Sequence, residues 1–353
     1  MHIALFIFIL AVLILVHEFG HFIMAKRAGI RVDEFGIGFP PRLWKFRRGE
    51  TAYSINAIPF GGFVKIFGED NESLLQDNGG DTSRSFVRAR KMTQVAIIGA
   101  GVAANLFLAW ILFSAIYLIG APLSVSSILP NSPAAEAGMR AGDHLRSMSV
   151  GENTITNLTP ESIQVFTAQH PGEKINVTLS RAGILSSLTV VPEKGLIDED
   201  KNRAAIGINM DFVQALPLHL AFFEGFKTTI NWLYGTGEAL TDLFIGLFSG
   251  TTSFSSLSGP VGIAGLVGDA ASLGLVYVLS LAAIISVNLS IMNIIPFPAL
   301  DGGRLLFILV ETVTRRSISP KIAGTLNVTG FALLMLLMVL ITYHDIAKII
   351  IGS

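Results

Sequence analysis

The sequence predicts a polytopic α-helical membrane protein with about four transmembrane helices, a membrane-associated β-hairpin region and an inserted α+β domain. Composition is the first observation: 51% of the 353 residues are hydrophobic and only 14% are charged, whereas soluble domains carry about 25% charged residues. Second, four stretches stay apolar over about 20 residues, the length that crosses a bilayer. Third, polar and apolar residues alternate in a middle segment, as they do in strands.

Composition also excludes several classes of function. The formal net charge is −1, so there is no strongly basic surface and we expect no nucleic-acid partner. The chain has no cysteine, which excludes disulfides and thiolate metal sites. Any metal ion must therefore be held by His, Asp or Glu.

The four apolar stretches lie at about 3–25, 93–119, 273–295 and 322–342. The first could instead be a signal peptide. However, no Lys or Arg precedes its apolar run, and Lys26-Arg27 follow it. We therefore interpret it as a transmembrane helix.

The distribution of Lys and Arg predicts the topology, because these residues are enriched in cytoplasmic loops. The loop 26–92 contains 12 of them, whereas the much longer segment 120–272 contains 8. We expect loops 26–92 and 302–321 to be cytoplasmic. The amino terminus and the middle domain would lie outside, in a multi-pass protein of the inner (cytoplasmic) membrane.

This pattern divides the chain into four parts. Residues 1–120 hold two transmembrane helices and a cytoplasmic hairpin loop, 121–195 an extracytoplasmic domain, 196–271 a linker, and 272–353 the last two helices. Polar residues interrupt the apolar run 216–250 of the linker. This favours an amphipathic interfacial helix, with a fifth transmembrane helix as the alternative.

The motif HEFGH, His17 to His21, is the strongest chemical signal. Residues four apart share one face of a helix, so both imidazoles can bind one metal ion. Glu18 lies beside that site, where it can take a proton from water and return it to the leaving amine. Only about 0.005 chance matches are expected for such a motif. Ionisable residues inside a transmembrane helix are also costly and usually functional.

Two histidines leave a catalytic zinc one protein ligand short. A candidate third ligand is Asp301 in the string NIIPFPALDGGR, Asn293 to Arg304. Pro296 and Pro298 cannot continue a helix and predict an extended segment at membrane depth. Taken alone, the Asp-Gly-Gly string could equally be an ordinary turn.

Together these motifs resemble the site-2 protease family of intramembrane zinc metalloproteases, most closely the bacterial regulator-of-sigma-factor protease type. The resemblance rests on HExxH in the first transmembrane helix, NxxPxPxLDG in a late one, and the domain between them. It implies zinc bound by His17, His21 and Asp301, with Glu18 as general base. It also implies that Asn293 positions the substrate or stabilises the oxyanion.

The middle domain resembles a PDZ domain of the bacterial protease type. Its string NSPAAEAGMRAGD starts at Asn131 and predicts a short helix capped by Ser132, and strands are predicted in KINVTLS and SLTVVPE. A PDZ domain implies that an extended peptide or substrate tail binds by strand addition, with the groove near Ser126–Ile128. The alternative is a domain that only excludes bulky substrates.

Further segments also resemble the family. GVAAN, 101–105, matches a GxxxN pattern in the second transmembrane helix, although Gly99-Ala100-Gly101 departs from the usual Gly-Pro there. Two further strings, GFPPRLWKF at 38–46 and SGPVGIAG at 258–265, resemble stretches found in members of this family. IPFGGFVKIFGED, 58–70, is similar to a hairpin that clamps substrate as an added strand, with a surface loop as the alternative. The substrate-binding residues implied here are Asn105, Gly61, Gly62, Phe63 and Val64.

The sequence therefore predicts an intramembrane zinc metalloprotease. Its substrates would be single-span membrane proteins of the anti-sigma-factor or remnant-signal-peptide type, cut within or near the transmembrane segment. We expect the lipid bilayer to be a further partner and the active site to lie toward the cytoplasmic side. The alternatives are an inactive membrane-tethered PDZ adaptor and an ion-coupled transporter, which should show inverted repeats.

Overall fold

The computed structural model describes residues 2–69, 82–181, 183–196, 202–250 and 259–351. The helices are α1 (His2–Arg27), α2 (Lys91–Ile119), α3 (Pro133–Glu136), α4 (Pro160–Gln169), α5 (Leu218–Ser249), α6 (Pro260–Leu273), α7 (Leu275–Ile294), α8 (Asp301–Thr314) and α9 (Pro320–Ile351). The strands are β1 (Val32–Arg48), β2 (Thr51–Ile66), β3 (Ala121–Ile128), β4 (His144–Val150), β5 (Asn153–Ile155), β6 (Ile175–Arg181), β7 (Ile184–Val190), β8 (Glu193–Lys194), β9 (Ala204–Ala205) and β10 (Ile208–Val213).

The chain forms two compact units. The first, which we call the helical unit, comprises Met1–Phe113, Phe226–Asp269 and Val278–Ser353. The second, the inserted unit, comprises Ser114–Gly225 and Ala270–Tyr277.

Within the described ranges, four helices are long and apolar enough to cross a membrane, as the sequence predicts. They are His2–Arg27, Lys91–Ile119, Leu275–Ile294 and Lys321–Lys348. The run 216–250 forms the single helix α5, which is not among these four. The charged residues of α5 explain why it is not among them, since each one lowers the hydropathy that a transmembrane helix needs.

The linker predicted at 196–271 contains more regular structure than expected. Besides α5 it contains most of the 14-residue helix α6, which ends at Leu273, just before Gly274. Gly274 has a φ of +118°, a conformation that favours glycine and separates α6 from α7. Of the segment 258–265 predicted to resemble the family, Ser258 lies outside the described residues.

Strands β1 and β2 form a long antiparallel hairpin in the helical unit. Residues 34–37 of β1 are matched with residues 62–65 on one side and with residues 52–55 on the other. The segment 62–66 is therefore an outer edge of this sheet among the described residues. The hairpin region thus spans 32–66, and Asp70, the last residue of the predicted clamp, lies outside the described part of the chain.

Ion pairs hold the turn of the hairpin in place. Glu50 accepts hydrogen bonds from Lys26 Nζ at 2.6 Å and from Arg84 Nη1 at 2.7 Å. The base of the hairpin is also anchored by a buried apolar cluster with contributions from α1, β1, β2, α2 and α8. This cluster contains Ala25, Ile30, Val32, Ile66, Phe86, Ile97, Ile98 and Ile308.

The inserted unit is built around a six-stranded sheet in the order β10-β3-β4-β6-β7, with β5 paired to β4. The predicted short helix is α3, where Ser132 accepts a hydrogen bond from Ala135 N at 3.3 Å and Pro133 occupies the first turn. The two strings predicted as strands form β6 and β7. The buried side chains of this core are Leu123, Val125, Ala134, Met139, Leu145, Met148, Leu158, Ile163, Phe166, Ile175, Val177, Leu179, Val190 and Ile206.

The end of the inserted domain differs from the predicted boundary at residue 195. Strand β10 pairs with β3, so the sheet continues to Val213. The alternation of INMDFV in β10 is short, and it follows a polar stretch that sequence reasoning assigned to the linker. Pairing along the length of β3, which is distant in sequence, fixes this strand in the sheet.

Candidate metal centre and active site

The two histidines of HEFGH meet Asp301 in the helical unit. His17 and His21 lie one turn apart on α1 and are both buried, with their Nε2 atoms 3.1 Å apart. Asp301 Oδ2 lies 3.0 Å from His17 Nε2 and 3.2 Å from His21 Nε2. All three potential ligand atoms fall within 4.8 Å of one another. The structure thus brings together the three residues predicted as metal ligands.

Asp301 reaches this position because of the break after α7. The helix ends at Ile294, and the chain turns through the two prolines before α8 begins at Asp301 itself. Gly302 and Gly303 allow this close return: a Cβ atom on Gly302 would lie 2.1 Å from the Ile295 carbonyl oxygen, and one on Gly303 2.3 Å from the Phe297 oxygen. The Asp-Gly-Gly string is therefore required by packing as well as by chemistry.

The donor set fits a zinc ion. His21 Nδ1 is 2.8 Å from the carbonyl oxygen of Ile97, so this nitrogen donates and Nε2 keeps its lone pair for a metal. Asp301 Oδ2 is buried and has no hydrogen-bond partner among the described residues. Two imidazole nitrogens and one carboxylate oxygen form a three-ligand set of the kind found in catalytic zinc sites, which keep a fourth position open.

Glu18 lies beside the ligands and contacts the hairpin. Its Oε2 accepts a hydrogen bond from the backbone N–H of Val64 at 3.1 Å. The outer strand segment 62–66 therefore passes directly along the carboxylate that was predicted to be the general base.

The predicted clamp residues lie on this same edge. Gly61 and Gly62 are buried, while Phe63 and Val64 are half-buried. Gly61 has a φ of +95°, and a Cβ atom there would lie 2.8 Å from the side chain of Ile14 on α1. The glycines thus let the strand approach the helix that carries the HEFGH motif.

Helix α2 supplies a surface that sequence reasoning did not assign to the metal centre. A Cβ atom on Gly101 would lie 2.4 Å from His21 Nε2 and 2.8 Å from His17 Cε1. Likewise, a Cβ atom on Gly20 would lie 2.3 Å from the carbonyl oxygen of Ala100. The imidazoles pack directly on Gly101, and the GVAAN string was the signal that could have indicated it.

The two asparagines predicted to contact substrate are placed differently. Asn105 is fully buried, with Nδ2 3.5 Å from His17 Nδ1. A side chain without exposed surface does not touch a substrate, so this position does not support a substrate-binding role for Asn105. Asn293 is half-buried in the last turn of α7, and its side chain makes no hydrogen bond within the described part of the chain.

The inserted unit contains a groove that begins beside the predicted position, at Leu129. Ser127 and Ile128 face Asn209 and Ile208 of β10, so that side of Ser126–Ile128 is already paired. A cavity of about 410 Å³ lies beside α4 and the chain leading into β10. Its lining residues include Leu129, Ile163, Gln164, Thr167, Arg203 and Ile206.

Fold and site together indicate a membrane-embedded metallopeptidase, with HExxH on one apolar helix and an aspartate that could complete a metal site following another. The family comparison agrees: the model described as peptidase family M50 matches residues 5–337, and this chain belongs to that family. The predicted family, the zinc metalloprotease class and zinc as its metal are confirmed at this level. This outcome favours the enzyme over the adaptor and the transporter.

Several curated relatives align over almost the whole chain. Zinc metalloprotease RasP of Geobacillus kaustophilus is 32% identical, with 97% of both chains covered. Zinc metalloprotease RasP of Oceanobacillus iheyensis is 29% identical, with 98% of both chains covered. A Clostridium acetobutylicum protein whose name contains the words zinc metalloprotease is 35% identical over 95% of this chain and 94% of its own.

Proposed function

We propose that this M50 protein hydrolyses peptide bonds within or near the transmembrane segments of single-span membrane proteins. The observation that carries the proposal is the position of the metal centre within a transmembrane helix. His17 and His21 lie in the second half of α1, a 26-residue helix apolar enough to cross a membrane. A cluster placed there serves substrates that are themselves in the bilayer. We propose anti-sigma factors and remnant signal peptides as the types of substrate.

The hairpin edge gives a way to hold such a substrate. Peptide bonds in a helix are hydrogen-bonded internally, so a transmembrane substrate must unwind before attack. An extended segment can then pair with the outer edge 62–66, as peptides do when they add a strand to a sheet. Val64 N–H donates a hydrogen bond to Glu18, so this edge borders the carboxylate that we propose as the general base.

The chemistry follows from the donor set and its neighbour. His17, His21 and Asp301 would hold the zinc ion, which when bound would supply Lewis-acid polarisation of the scissile carbonyl and of the attacking water. Glu18 accepts the proton of that water and delivers it to the leaving amine. The Ile97 carbonyl holds the His21 ring in the tautomer that leaves Nε2 free. Asn293 remains our candidate for positioning the scissile bond or stabilising the oxyanion.

The inserted unit would control access rather than chemistry. We assign it a PDZ-type role in which the cavity beside α4 takes an extended peptide or substrate tail. The exposed or partly exposed polar groups around it, such as Arg203 and Gln164, suit a chain with free backbone groups. In the alternative, the unit only blocks substrates with bulky outer domains. Under either role, we propose that the inserted unit and the amino terminus lie outside the cell membrane and that the metal ligands lie toward the cytoplasmic side.

The decisive experiment uses purified enzyme and a single-span model substrate. Glu18→Gln should keep zinc but reduce turnover by about 10²–10⁴-fold, because an amide cannot accept the proton. His17→Ala and Asp301→Ala should lose both zinc and activity. Glu136→Gln on α3 of the inserted unit is the matched control and should behave as wild type. Cleavage by Glu18→Gln within tenfold of wild type would show that Glu18 is not the base.

A crosslinking experiment tests the clamp separately. Because the chain contains no cysteine, a single introduced cysteine labels one position without ambiguity. Phe63→Cys in a Glu18→Gln background should crosslink to the transmembrane segment of a trapped substrate. A cysteine at Ile184, exposed on β7 of the inserted unit, is the control. Absence of crosslinks from position 63 would contradict the clamp.

The access role has its own test. Deletion of residues 121–213, the whole sheet, should leave zinc bound and should speed cleavage of an untrimmed substrate relative to a trimmed one. If the shortened enzyme still rejected the untrimmed substrate, the inserted unit would not be the gate. Alanine at Arg203 distinguishes tail binding from steric exclusion, since only tail binding depends on that side chain.

A further inference from the structure

Three residues of helix α2, each four positions after the last in the sequence, contact the imidazole pair. Ile97 accepts from His21 through its carbonyl, Gly101 lies under both rings, and Asn105 reaches His17. Positions four apart share one face of a helix. This face therefore forms the wall behind the metal ligands, and each of the three positions contacts an imidazole in its own way.

Asn105 is the polar member of this face. It is fully buried, its Oδ1 has no hydrogen-bond partner in the described part of the chain, and its Nδ2 is 3.5 Å from His17 Nδ1. An unpaired buried amide oxygen costs free energy, so such groups normally have a partner. The oxygen and nitrogen of an amide exchange places on a 180° rotation of its terminal torsion. That rotation brings the unpaired oxygen to His17 Nδ1.

The backbone at Asn105 is itself held in place. Ser286 Oγ on α7 donates to the Asn105 carbonyl oxygen at 2.8 Å, and both residues are fully buried. One turn further along α7, Ser290 Oγ donates to the Val102 carbonyl oxygen at 3.3 Å. These contacts fix α2 against α7 at the level of His17. A side chain carried by a backbone held in this way is suited to orienting a ring.

We propose that Asn105 is a positioning residue for the metal centre. Its Oδ1 accepts a hydrogen bond from the Nδ1–H group of His17, which leaves His17 Nε2 free to point to the metal. The inference rests on the zinc-protease function proposed above. It assigns to Asn105 the role for His17 that the Ile97 carbonyl performs for His21. Partners of this kind fix the tautomer of a ligating imidazole and raise its basicity. The GVAAN string then has a physical meaning, with glycine giving space and asparagine giving the acceptor.

Zinc affinity, measured by competition with a chelator on purified full-length enzyme, tests the proposal. Asn105→Leu, which has similar size but no acceptor, should bind zinc about 10–100-fold more weakly. Asn105→Asp keeps an acceptor at the same place and should retain affinity close to wild type. Ser290→Ala removes a buried hydrogen bond from the same pair of helices without touching an imidazole, and it should also bind like wild type. Cobalt substituted for zinc gives a second readout, because its visible spectrum should change in Asn105→Leu alone.

The outcomes separate this proposal from the one on which it rests. If His17→Ala and Asp301→Ala lose zinc but Asn105→Leu does not, Asn105 has no positioning role and the metal site stands. If Asn105→Asp loses as much affinity as Asn105→Leu, packing rather than the acceptor matters and the proposal is overturned. If zinc binding survives His17→Ala, the metal site itself is wrong. Should Asn105→Leu not fold, Asn105→Ala removes the same acceptor without added bulk and takes its place.

Discussion

The substitution Gly101→Ala tests the packing of the metal centre with a single methyl group. The added Cβ atom would lie 2.4 Å from His21 Nε2, 2.5 Å from His21 Cε1 and 2.8 Å from His17 Cε1. Non-bonded heavy atoms sit comfortably at about 3.5 Å or more. The His21 ring must therefore move by about 1 Å. A ligand displaced by that distance no longer meets the other two donors in zinc geometry, where Zn–N bonds are about 2.0–2.1 Å.

We expect Gly101→Ala to weaken zinc binding by at least tenfold and to reduce cleavage of a single-span substrate correspondingly. Gly99→Ala is a matched control on the same helix, since a Cβ atom at Gly99 meets nothing within 4 Å. In the interior of a helix, that exchange should be neutral or stabilising by up to about 1 kcal/mol. Zinc content by metal analysis and cleavage rate are the measurements. Wild-type zinc affinity in Gly101→Ala would refute the proposed contact between α2 and the imidazoles.

Three other predictions follow from contacts elsewhere. Val64→Pro removes the N–H that bonds Glu18 and should lower cleavage at least tenfold with zinc content unchanged; equal loss of zinc would indicate general misfolding instead. Arg181→Met leaves the buried Asp143 carboxylate without its two 2.7 Å contacts from the guanidinium, so it should destabilise the inserted unit by about 2–3 kcal/mol, measured as faster amide exchange in β4 and β6. At the hairpin turn, hydrogen bonds from its arginine and lysine partners lower the pKa of Glu50 to about 2. That stabilisation, about 1 kcal/mol at this surface site, is present above the unfolded pKa of about 4.3 and is lost as the pH falls toward 2. Residues 48–51 should become more open to an acid-active protease over that range, and a flat profile would contradict the assignment.

The sequence predicted the parts of the molecule that depend on local pattern. The four apolar helices follow from length and composition, and His17 and His21 share a face because of helix geometry alone. Asp301 was a candidate because two prolines must end a helix just before it. In each case the residues of one short segment were enough to determine its local conformation.

Contacts between segments distant in sequence were harder to predict. Strand β10 could not be assigned because its place in the sheet depends on pairing with β3. The position of the cavity depends on that pairing, and the expectation of a peptide groove near Ser126–Ile128 stays a prediction. The proposed role of Asn105 was not predictable for the same reason, since its burial beside His17 depends on the packing of two helices.

The insertion of one unit into the other also bears on biosynthesis. His17 and Asp301 are separated by about 280 residues, most of them in the hairpin, α2 and the inserted unit. At translation rates of about 5–20 residues per second, the third ligand is made roughly 15–60 s after the first. During that interval the nascent chain carries its histidines and its base without a complete site. The order of the chain thus delays completion of the proposed metal site until Asp301 has been synthesised.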